Sequence, residues 1–230
     1  MHLRTFARAR YVRDTLRLAR TLRGAAAKAA TSRAAVEAAF HTRVGSIAVR
    51  PTQVPEEMVE FLDRVRETRP RRVLEIGTAN GGTLYLLAWA SAPDARILSV
   101  DVCEYDRIRR RLYRSFGQRG QRLDVLHADS RLDATRTMVE RYFVGEPVDL
   151  LFIDGDHAYE SVKRDFELYG ALVRAGGAVA FHDIAEGPES FVGGVPRFWR
   201  EVQSSLLEPL EIVHSPDQGG YGIGVGVRSR

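Results

Sequence analysis

From Arg71 onward, short apolar runs alternate with longer segments in which apolar residues recur at helical spacing. Short runs that are almost wholly apolar are typical of parallel strands buried on both faces of a sheet. The predicted strands are Arg72–Ile76, Arg96–Asp101, Arg122–His127, Val148–Asp154 and Ala178–His182. The predicted helices between them lie near Gly81–Ala90, Glu104–Phe116, Arg131–Phe143 and Tyr159–Val173. This alternation predicts a doubly wound α/β sheet covered by helices on both faces.

The flanks of this pattern complete the predicted domain, which spans residues 55–230. Pro55 can open a helix in its first turn, and Pro70 ends that helix before the first strand. Two more strands are predicted at the end of the chain, at Leu210–His214 and Tyr221–Val227. The turn between them is short enough for a hairpin, so one of the two should run antiparallel to the others. We therefore expect a mostly parallel sheet of about seven strands with one antiparallel strand near the C-terminus.

Residues 1–54 are predicted to form a basic helical arm and a connector outside the sheet. Residues 1–50 contain 11 basic and 2 acidic residues, whereas the rest of the chain contains 23 basic and 28 acidic residues. The basic character thus belongs to the arm, and the acidic body is not expected to bind nucleic acid. The arm could be a solvated helix, a helix that packs in a homo-oligomer, or an amphipathic helix on an anionic membrane surface. A tail for another partner and an organellar targeting segment stay open as well.

Cysteine content and hydropathy indicate the cellular compartment of the protein. Cys103 is the single cysteine, which excludes an internal disulfide framework and a cysteine-rich zinc site. No apolar run approaches the ~20 residues that a membrane span needs, and no signal-peptide core lies between the N-terminal arginines. We therefore expect a cytoplasmic protein.

A glycine-rich turn, Glu75-Ile-Gly-Thr-Ala-Asn-Gly-Gly, follows the first strand. Glycine lets the backbone approach a ligand closely, and the N–H groups of the next helix can bind a carboxylate or a phosphate. Ala79 occupies the second glycine position of the G-x-G-x-x-G dinucleotide motif, which argues against a nicotinamide-dependent oxidoreductase. A tight turn without any ligand explains the same glycines.

Acids at the ends of successive strands point to a nucleoside. Asp101 ends the second strand, and Asp129 with Ser130 follows the third. The carboxyl ends of parallel strands form the edge where open α/β sheets bind ligands, and a carboxylate there can accept both hydroxyls of a ribose. Each acid alone could instead be a helix cap or a solvated strand end. Three successive strands that all end in Glu or Asp favour nucleoside binding.

Over residues 56–227 the chain resembles the class I S-adenosylmethionine-dependent methyltransferases, which have a Rossmann-like fold. The resemblance is carried by EIGTANGGT, SVDV, HADS, IDGDHAYESVKRD, GGAVAFHDI and GGVPRFW. The glycine turn is shared by much of that superfamily. The pairing of IDGDH with HD looks like the metal-dependent O-methyltransferases of sugar and natural-product tailoring, including macrolide-sugar enzymes.

The resemblance implies a role for each motif. Glu75 and Gly77 would contact the methionine end of S-adenosylmethionine, Asp101 the ribose and Asp129 the adenine. The full set of predicted cofactor-binding residues is Glu75, Gly77, Thr78, Asn80, Gly81, Gly82, Asp101, Asp129 and Ser130.

Two strand ends offer the ligands for a cation. Asp154 and Asp183 end successive strands and can converge on one ion, and hard oxygen ligands suit Mg²⁺. A cation on an acceptor oxygen would lower the pKa of the hydroxyl and orient it. The resemblance adds His182 to this ligand set, although related enzymes often have an acid there. An imidazole shifts the preference toward manganese, iron or zinc, so His182 is either a ligand or a residue behind the ligands.

The general base is predicted at His157, which matches the position of the base proposed for macrolide-sugar relatives. A histidine can take a hydroxyl proton at neutral pH. Asp156 is the competing candidate, and a helix cap is the structural alternative for His157. The catalytic prediction therefore comprises Asp154, Asp156 and His157, with a hydroxylated small molecule such as a sugar as the acceptor. The rival hypotheses are a nicotinamide-dependent oxidoreductase and a non-catalytic, nucleoside-binding or membrane-recruited protein.

Overall fold

The computed structural model describes residues 2–229, with side chains from residue 7 onward. The helices are α1 His2–Lys28, α2 Ser32–His41, α3 Pro55–Thr68, α4 Gly82–Ala90, α5 Arg107–Arg114, α6 Asp133–Tyr142, α7 Tyr159–Tyr169, α8 Glu189–Val192 and α9 Val195–Val202. The strands are β1 Arg43–Val44, β2 Ile47–Ala48, β3 Arg72–Ile76, β4 Arg96–Asp101, β5 Arg122–His127, β6 Val148–Ile153, β7 Val173–His182, β8 Leu206–Ile212 and β9 Ile223–Arg228.

Strands β3 to β9 form one seven-stranded sheet in the order β5-β4-β3-β6-β7-β9-β8. The pairs among β3 to β7 are parallel, whereas β9 pairs antiparallel with both β7 and β8. Strand β9 is therefore the single antiparallel strand of this sheet. The predicted mostly parallel, Rossmann-like sheet with one antiparallel strand near the C-terminus is confirmed.

The direction of strand order reverses between β3 and β6, and this switch point positions the site. From β3 the chain adds β4 and β5 on one side, then crosses to β6 on the other side. Beyond the end of β3, Gly77 N donates to Val100 O at 2.8 Å, and Asp154 N donates to Ile76 O at 2.9 Å. The loops after β3 and β6 therefore leave the sheet side by side, which opens a crevice where α/β sheets bind ligands.

Two apolar layers cover the sheet. Helices α3, α4 and α5 bury Phe61, Leu84 and Leu112 on one face. Helices α6, α7 and α9 bury Val139, Val162 and Trp199 on the other. The apolar strands lie between these layers, as the nearly continuous hydrophobic runs predict.

The N-terminal helices pack onto the first of these layers. Leu18 and Leu22 of α1 and Val36 of α2 are buried in it, and Tyr85 donates a hydrogen bond to Leu22 O at 3.2 Å. The apolar side of the arm thus faces α3, α4 and α5, and its arginine side faces solvent. Among the helices of the described chain, none combines the length and apolarity that crossing a bilayer requires.

Several element boundaries differ from the prediction. The helix predicted to Val173 ends at Tyr169, and a 3₁₀ turn leads into β7, which begins five residues before the predicted Ala178. Val173 pairs with Val148, and the register then shifts before Leu150 pairs with Ala178. This irregularity accommodates Gly176 at φ +71° inside the strand. The connector before α3 also contains a hairpin, formed by β1 and β2.

Candidate functional site

A cavity of about 380 Å³ opens at the switch point. We call it the rim cavity. It lies between the loops that follow β3, β4, β5 and β6, so four strand ends contribute to its wall. Its lining contains six of the predicted site residues, which are Gly77, Asp101, Asp129, Ser130, Asp154 and Asp156. The sequence prediction therefore placed these residues around one space.

Glycine is required at three positions of the turn, because other parts of the protein pack too closely there for a Cβ atom. Gly77 has φ +94°, and a Cβ there would lie 1.9 Å from Asp154 O. A Cβ on Gly81 would lie 2.4 Å from the Tyr113 ring, and one on Gly82 would lie 2.2 Å from Val49 O. The glycines thus allow β6, α5 and the connector to approach the turn. The direct cofactor contacts of Gly77, Gly81 and Gly82 stay predictions.

Asp101 organises the turn beneath the rim cavity. Its Oδ2 accepts hydrogen bonds from Thr78 N at 2.8 Å and Ala79 N at 2.9 Å, and its Oδ1 accepts one from Cys103 N at 2.7 Å. The Tyr105 hydroxyl lies 2.8 Å from Oδ2. Burial alone would raise the pKa of Asp101, but these hydrogen bonds outweigh it and lower the pKa. The carboxylate therefore stays charged at the position predicted for the ribose.

Glu75 lies under the cavity rather than in its wall. It is fully buried, and its Oε2 accepts a hydrogen bond from Ser99 Oγ, which also lies 2.6 Å from Thr78 Oγ1. Its Oε1 is buried without a hydrogen-bond partner. Burial raises the pKa of Glu75 well above its ordinary value. Asn80 is exposed, and its carbonyl accepts a hydrogen bond from Arg109 at 3.2 Å.

Arg131 closes the end of the cavity predicted to hold adenine. Its guanidinium makes a two-pronged ion pair with Asp129, with Nε 2.9 Å from Oδ1 and Nη2 2.8 Å from Oδ2. Its Nη1 lies 3.5 Å from Asp156 Oδ2. Hydrogen bonding to this guanidinium lowers the pKa of Asp129. Arg131 thus links the loops after β5 and β6 across the cavity.

One stripe of α7 supports the same loops. Ser161, Asp165 and Tyr169 recur every four residues and so face one side of the helix. Ser161 Oγ donates to Asp156 Oδ2 at 2.7 Å, and the Tyr169 hydroxyl donates to Ser130 O at 2.5 Å. Asp165 lies between them, is 1% exposed and has its Oδ1 buried without a partner. Burial raises the pKa of Asp165 to about 6.

Two carboxylates and an imidazole converge where β6 and β7 end. His182 Nδ1 lies 3.1 Å from Asp154 Oδ1 and 3.1 Å from Asp183 Oδ2. One ligand atom from each of the three residues lies within 4.8 Å of the others. Asp183 reaches this position from a left-handed backbone conformation, φ +62°, which Asp tolerates better than most residues. The convergence predicted for Asp154 and Asp183 is present.

The electrostatics and donor set of this cluster fit a cation. Burial alone would lower the pKa of His182, but the two carboxylates outweigh it and raise the pKa to about 10. The two carboxylates therefore favour a positive charge at this position. His182 Nε2 and Asp183 Oδ1 are buried without hydrogen-bond partners, so two ligating atoms are left over. Two carboxylates and one imidazole are ligands that divalent metals accept.

The two base candidates face different parts of the site. His157 Nε2 lies 3.2 Å from Asp183 Oδ2, and its Nδ1 lies 2.5 Å from Phe191 O. Asp156 instead faces Ser161 and Arg131, and hydrogen bonding to Ser161 lowers its pKa. The geometry therefore brings His157 to the carboxylate cluster, whereas Asp156 lies at the end of the rim cavity predicted to hold adenine.

A second and more open cavity of about 810 Å³ adjoins the first, and Gly155 and Asp156 line both. We call it the outer cavity. Its wall also includes His157, Tyr159 and Phe191. Tyr221 lies behind this wall, with its ring 4.9 Å from that of Phe191 and 6.2 Å from that of His182.

Sequence reasoning missed three residues of the site. Gln53 is buried in the connector, and its Nε2 donates to Asp154 Oδ2 at 2.5 Å. Arg131 and Tyr105 were read only as parts of helices. Arg131 follows Asp129 and Ser130 directly, so its position beside two predicted rim residues was an available signal. No sequence signal links Gln53 to Asp154, which is 101 residues away.

Several solved structures have a similar fold, among them the following three. The O-methyltransferase from Bacillus cereus in complex with SAH is 22% identical, with a TM-score of 0.54 over 74% of this chain and 80% of that one. The MycE methyltransferase from the mycinamycin biosynthetic pathway, in complex with Mg, SAH and mycinamycin VI, is 18% identical, with a TM-score of 0.52 over 74% and 49% of the two chains. Cofactor-bound Rv0187 from MTB is 19% identical, with a TM-score of 0.58 over 94% and 90%. At these identities the likeness establishes the fold.

The sequence itself matches a known family in its central part. Residues 74–184 match the family described as a methyltransferase domain, a segment that runs from β3 to the end of β7. The chain spans about a sixth of the length of the curated relatives it matches. The matched segment contains the glycine turn, the strand-end acids and the carboxylate cluster. Residues 74–184 therefore match a methyltransferase domain, in agreement with the resemblance to methyltransferases that the sequence motifs carry.

Proposed function

We propose that this protein transfers a methyl group from S-adenosylmethionine to a hydroxyl of a small molecule, with a divalent cation and a general base at the acceptor. The observation that carries the proposal is the convergence of Asp154, His182 and Asp183 beside the rim cavity. A cofactor in the rim cavity and an acceptor in the outer cavity would meet near Gly155, which lines both. Methyl transfer requires that alignment, because the acceptor oxygen must lie in line with the departing sulfur.

Asp154 and Asp183 would hold the cation, and His182 would either join them or position them. When bound, the cation would lower the pKa of the acceptor hydroxyl and orient its oxygen. Gln53 fixes Asp154 Oδ2, so Oδ1 is the atom that faces the cluster. Mg²⁺ suits the carboxylates, and the imidazole favours a softer ion such as Mn²⁺.

His157 is the better candidate for the general base. Its Nδ1 lies against the carbonyl of Phe191, which favours the tautomer with hydrogen on Nδ1 and leaves Nε2 to accept a proton. A proton taken at Nε2 would be stabilised by Asp183 Oδ2 at 3.2 Å. Asp156 lacks such a position, because its carboxylate is bonded to Ser161 and lies near Arg131.

The outer cavity supports a hydroxylated acceptor of the size of a sugar or a glycosylated metabolite. Its volume of about 810 Å³ lies within the range of small-molecule sites, and its wall mixes aromatic, acidic and basic side chains. The fold neighbour MycE was solved with mycinamycin VI, a small-molecule ligand. Tyr159 and Phe191 can pack against an apolar face of such an acceptor.

Two measurements test the proposal. Calorimetry should detect S-adenosylhomocysteine binding and no NAD binding. Labelled S-adenosylmethionine should then donate its methyl group to members of a panel of glycosides and hydroxylated aromatics, and a chelator should reduce the rate.

Asp154→Asn separates cofactor binding from metal-assisted transfer, with exposed Asp133→Asn as the control. Asp154 lines the rim cavity, but Asn keeps the size of the side chain, so we expect Asp154→Asn to retain S-adenosylhomocysteine binding. The rate of transfer should fall at least about 100-fold, because a metal ligand is lost. Undiminished methyl transfer by Asp154→Asn would show that Asp154 does not act through a metal. NAD binding in place of S-adenosylhomocysteine would overturn the whole proposal.

A further inference from the structure

Two arginine stripes lie next to each other on the surface formed by α1 and α5. On α1, the exposed side chains Arg10, Arg13, Arg17 and Arg20 are spaced by three or four residues and so share one face. On α5, the exposed side chains Arg107, Arg110, Arg111 and Arg114 occupy positions i, i+3, i+4 and i+7 and so also share one face. Tyr11 of α1 faces Asp106 and Arg109 at the start of α5, which places the two helices side by side. We call this surface the arginine face.

Few of these charges are neutralised within the described part of the chain. Asp14 pairs with Arg10 and Arg13, and Asp124 pairs with Arg114. The other five arginines make no ion pair with any described side chain. Helix α5 contains no acid at all, and Asp14 is the single acid of α1. Like charges on neighbouring helical turns repel each other, and an anionic partner would relieve this repulsion.

We propose that the arginine face docks on the anionic headgroups of a membrane surface, with α1 lying in the plane of the membrane. Helix α1 has 27 residues and is therefore about 40 Å long at 1.5 Å per residue, so it offers an extended contact. Leu16 is 49% exposed between Arg13 and Arg17 and can enter the headgroup region. The apolar side of α1 is buried against α4 and α5, so the attraction is mainly electrostatic.

Other anionic partners fit this face less well. Single-stranded nucleic acid is usually held in a groove with aromatic side chains on which bases stack. The arginine face presents the outer sides of two helices, and among its described side chains the aromatic Tyr11 is half-buried and directed toward Asp106. A second copy of the same face would bring two sets of arginines together, which repulsion disfavours. A headgroup layer needs neither a groove nor stacking.

Vesicle sedimentation of the full chain tests the proposal. We expect binding to phosphatidylcholine vesicles that contain phosphatidylglycerol and none to phosphatidylcholine alone. Raising the salt from 0.1 M to 1 M should release the protein, because the screening length falls from about 10 Å to about 3 Å. The readout does not depend on methyl transfer, so this proposal and the proposed function can fail separately.

Charge-reversal variants test whether the arginines of α1 and α5 make the contact with the vesicle surface. Arg17→Glu/Arg20→Glu changes α1 and Arg110→Glu/Arg111→Glu changes α5, and none of these side chains makes an ion pair with a described residue. Each double variant should bind anionic vesicles at least about 25-fold more weakly, since one basic residue near such a surface contributes roughly fivefold in affinity. Arg141→Glu/Lys163→Glu on α6 and α7 reverses the same charge elsewhere, at two side chains that make no ion pair with a described residue, and should change binding little.

Three outcomes would overturn the proposal. The first is no binding to anionic vesicles at low salt, and the second is equal weakening by the control variant. The third is tighter binding of a mixed-sequence RNA or duplex DNA than of vesicles at the same salt, which would assign the face to nucleic acid. Far-UV circular dichroism and S-adenosylhomocysteine binding report whether each variant is folded.

Discussion

Gln53 Nε2 donates a hydrogen bond to Asp154 Oδ2 at 2.5 Å, which ties the connector before α3 to the carboxylate cluster at the end of β6. Gln53 is held in turn by Thr83, whose hydroxyl donates to Gln53 Oε1 at 3.0 Å. The segment that precedes the predicted methyltransferase domain therefore contributes a side chain to the site. Gln53 occupies one oxygen of Asp154 and leaves the other to face His182.

Replacing Gln53 tests whether it positions Asp154. We expect Gln53→Ala to raise the Mg²⁺ or Mn²⁺ concentration that gives half-maximal transfer by 10- to 100-fold, the usual effect of removing a residue that orients a metal ligand. The affinity for S-adenosylhomocysteine should stay unchanged, because Gln53 does not line the rim cavity. Exposed Thr52→Ala is the neighbouring control. An unchanged metal dependence in Gln53→Ala would show that this hydrogen bond is only structural.

Replacing Arg131 tests the predicted adenine end of the rim cavity. We expect Arg131→Ala to raise KM for S-adenosylmethionine roughly tenfold, equal to about 1.4 kcal/mol, because Asp129 loses its two-pronged partner. The kcat should change little, since the acceptor side of the site is untouched. The fold should survive, because Arg131 is 45% exposed in its side chain and exposed ion pairs contribute little to stability.

Arg141→Ala removes an exposed arginine from α6 as the control for this variant. Calorimetry with S-adenosylhomocysteine should reproduce the KM effect as a weaker Kd. An equal loss in kcat and an unchanged Kd would place Arg131 outside the cofactor site.

Gly145 is a control for Gly77 in a test of how closely the loops of the site approach each other. Both have positive φ, +94° and +72°, but a Cβ on Gly77 would lie 1.9 Å from Asp154 O, whereas one on Gly145 would meet nothing within 4 Å. We expect Gly145→Ala to lower the free energy of unfolding by about 1 kcal/mol, from the backbone conformation alone. Gly77→Ala should lower it by at least about 3 kcal/mol, because β3 and β6 must also separate. Equal midpoints in urea would contradict the close approach of the two loops.

The sheet and the strand-end acids were predictable because both follow from local patterns. An apolar run that ends in Asp predicts a strand and a rim residue together, and Asp101, Asp154 and Asp183 all follow this rule. The parallel order then brings the three acids to one edge. The antiparallel pairing of the last two strands follows from their closeness in the sequence, although the sequence did not show which of the two is antiparallel to the rest. Each of these inferences needs only neighbouring residues.

The supporting contacts were not predictable because they join distant parts of the chain. Glu57 of α3 is buried, and its two oxygens accept hydrogen bonds from His214 N and Gly222 N, more than 150 residues away. These bonds hold the loop between β8 and β9, which carries Tyr221 toward His182. In the sequence Glu57 reads only as a favourable acid at the start of a helix. Its partners depend on how α3 packs on the sheet, which local patterns do not encode.

The last prediction concerns Asp165, because its burial determines whether the free energy of unfolding rises or falls with pH. It is 1% exposed, and burial raises its pKa from 3.8 to about 6. Between about pH 4 and pH 6 the folded protein keeps a proton that the unfolded chain releases, so the free energy of unfolding falls as the pH rises through this window. Above about pH 6 both states are charged, and this contribution no longer changes.

Asp165→Asn should remove this slope. A shift of about two pKa units corresponds to about 3 kcal/mol, so the variant should gain up to that amount of stability relative to the wild type between pH 4 and pH 7. The measurement is urea unfolding of both proteins across this range, with exposed Asp217→Asn as the control for the loss of a charge. Parallel curves for the wild type and Asp165→Asn would contradict the assignment. A gain in stability accompanied by a higher KM for S-adenosylmethionine would show that Asp165 serves the loop at Ser130 at a cost to the fold, as functional residues often do.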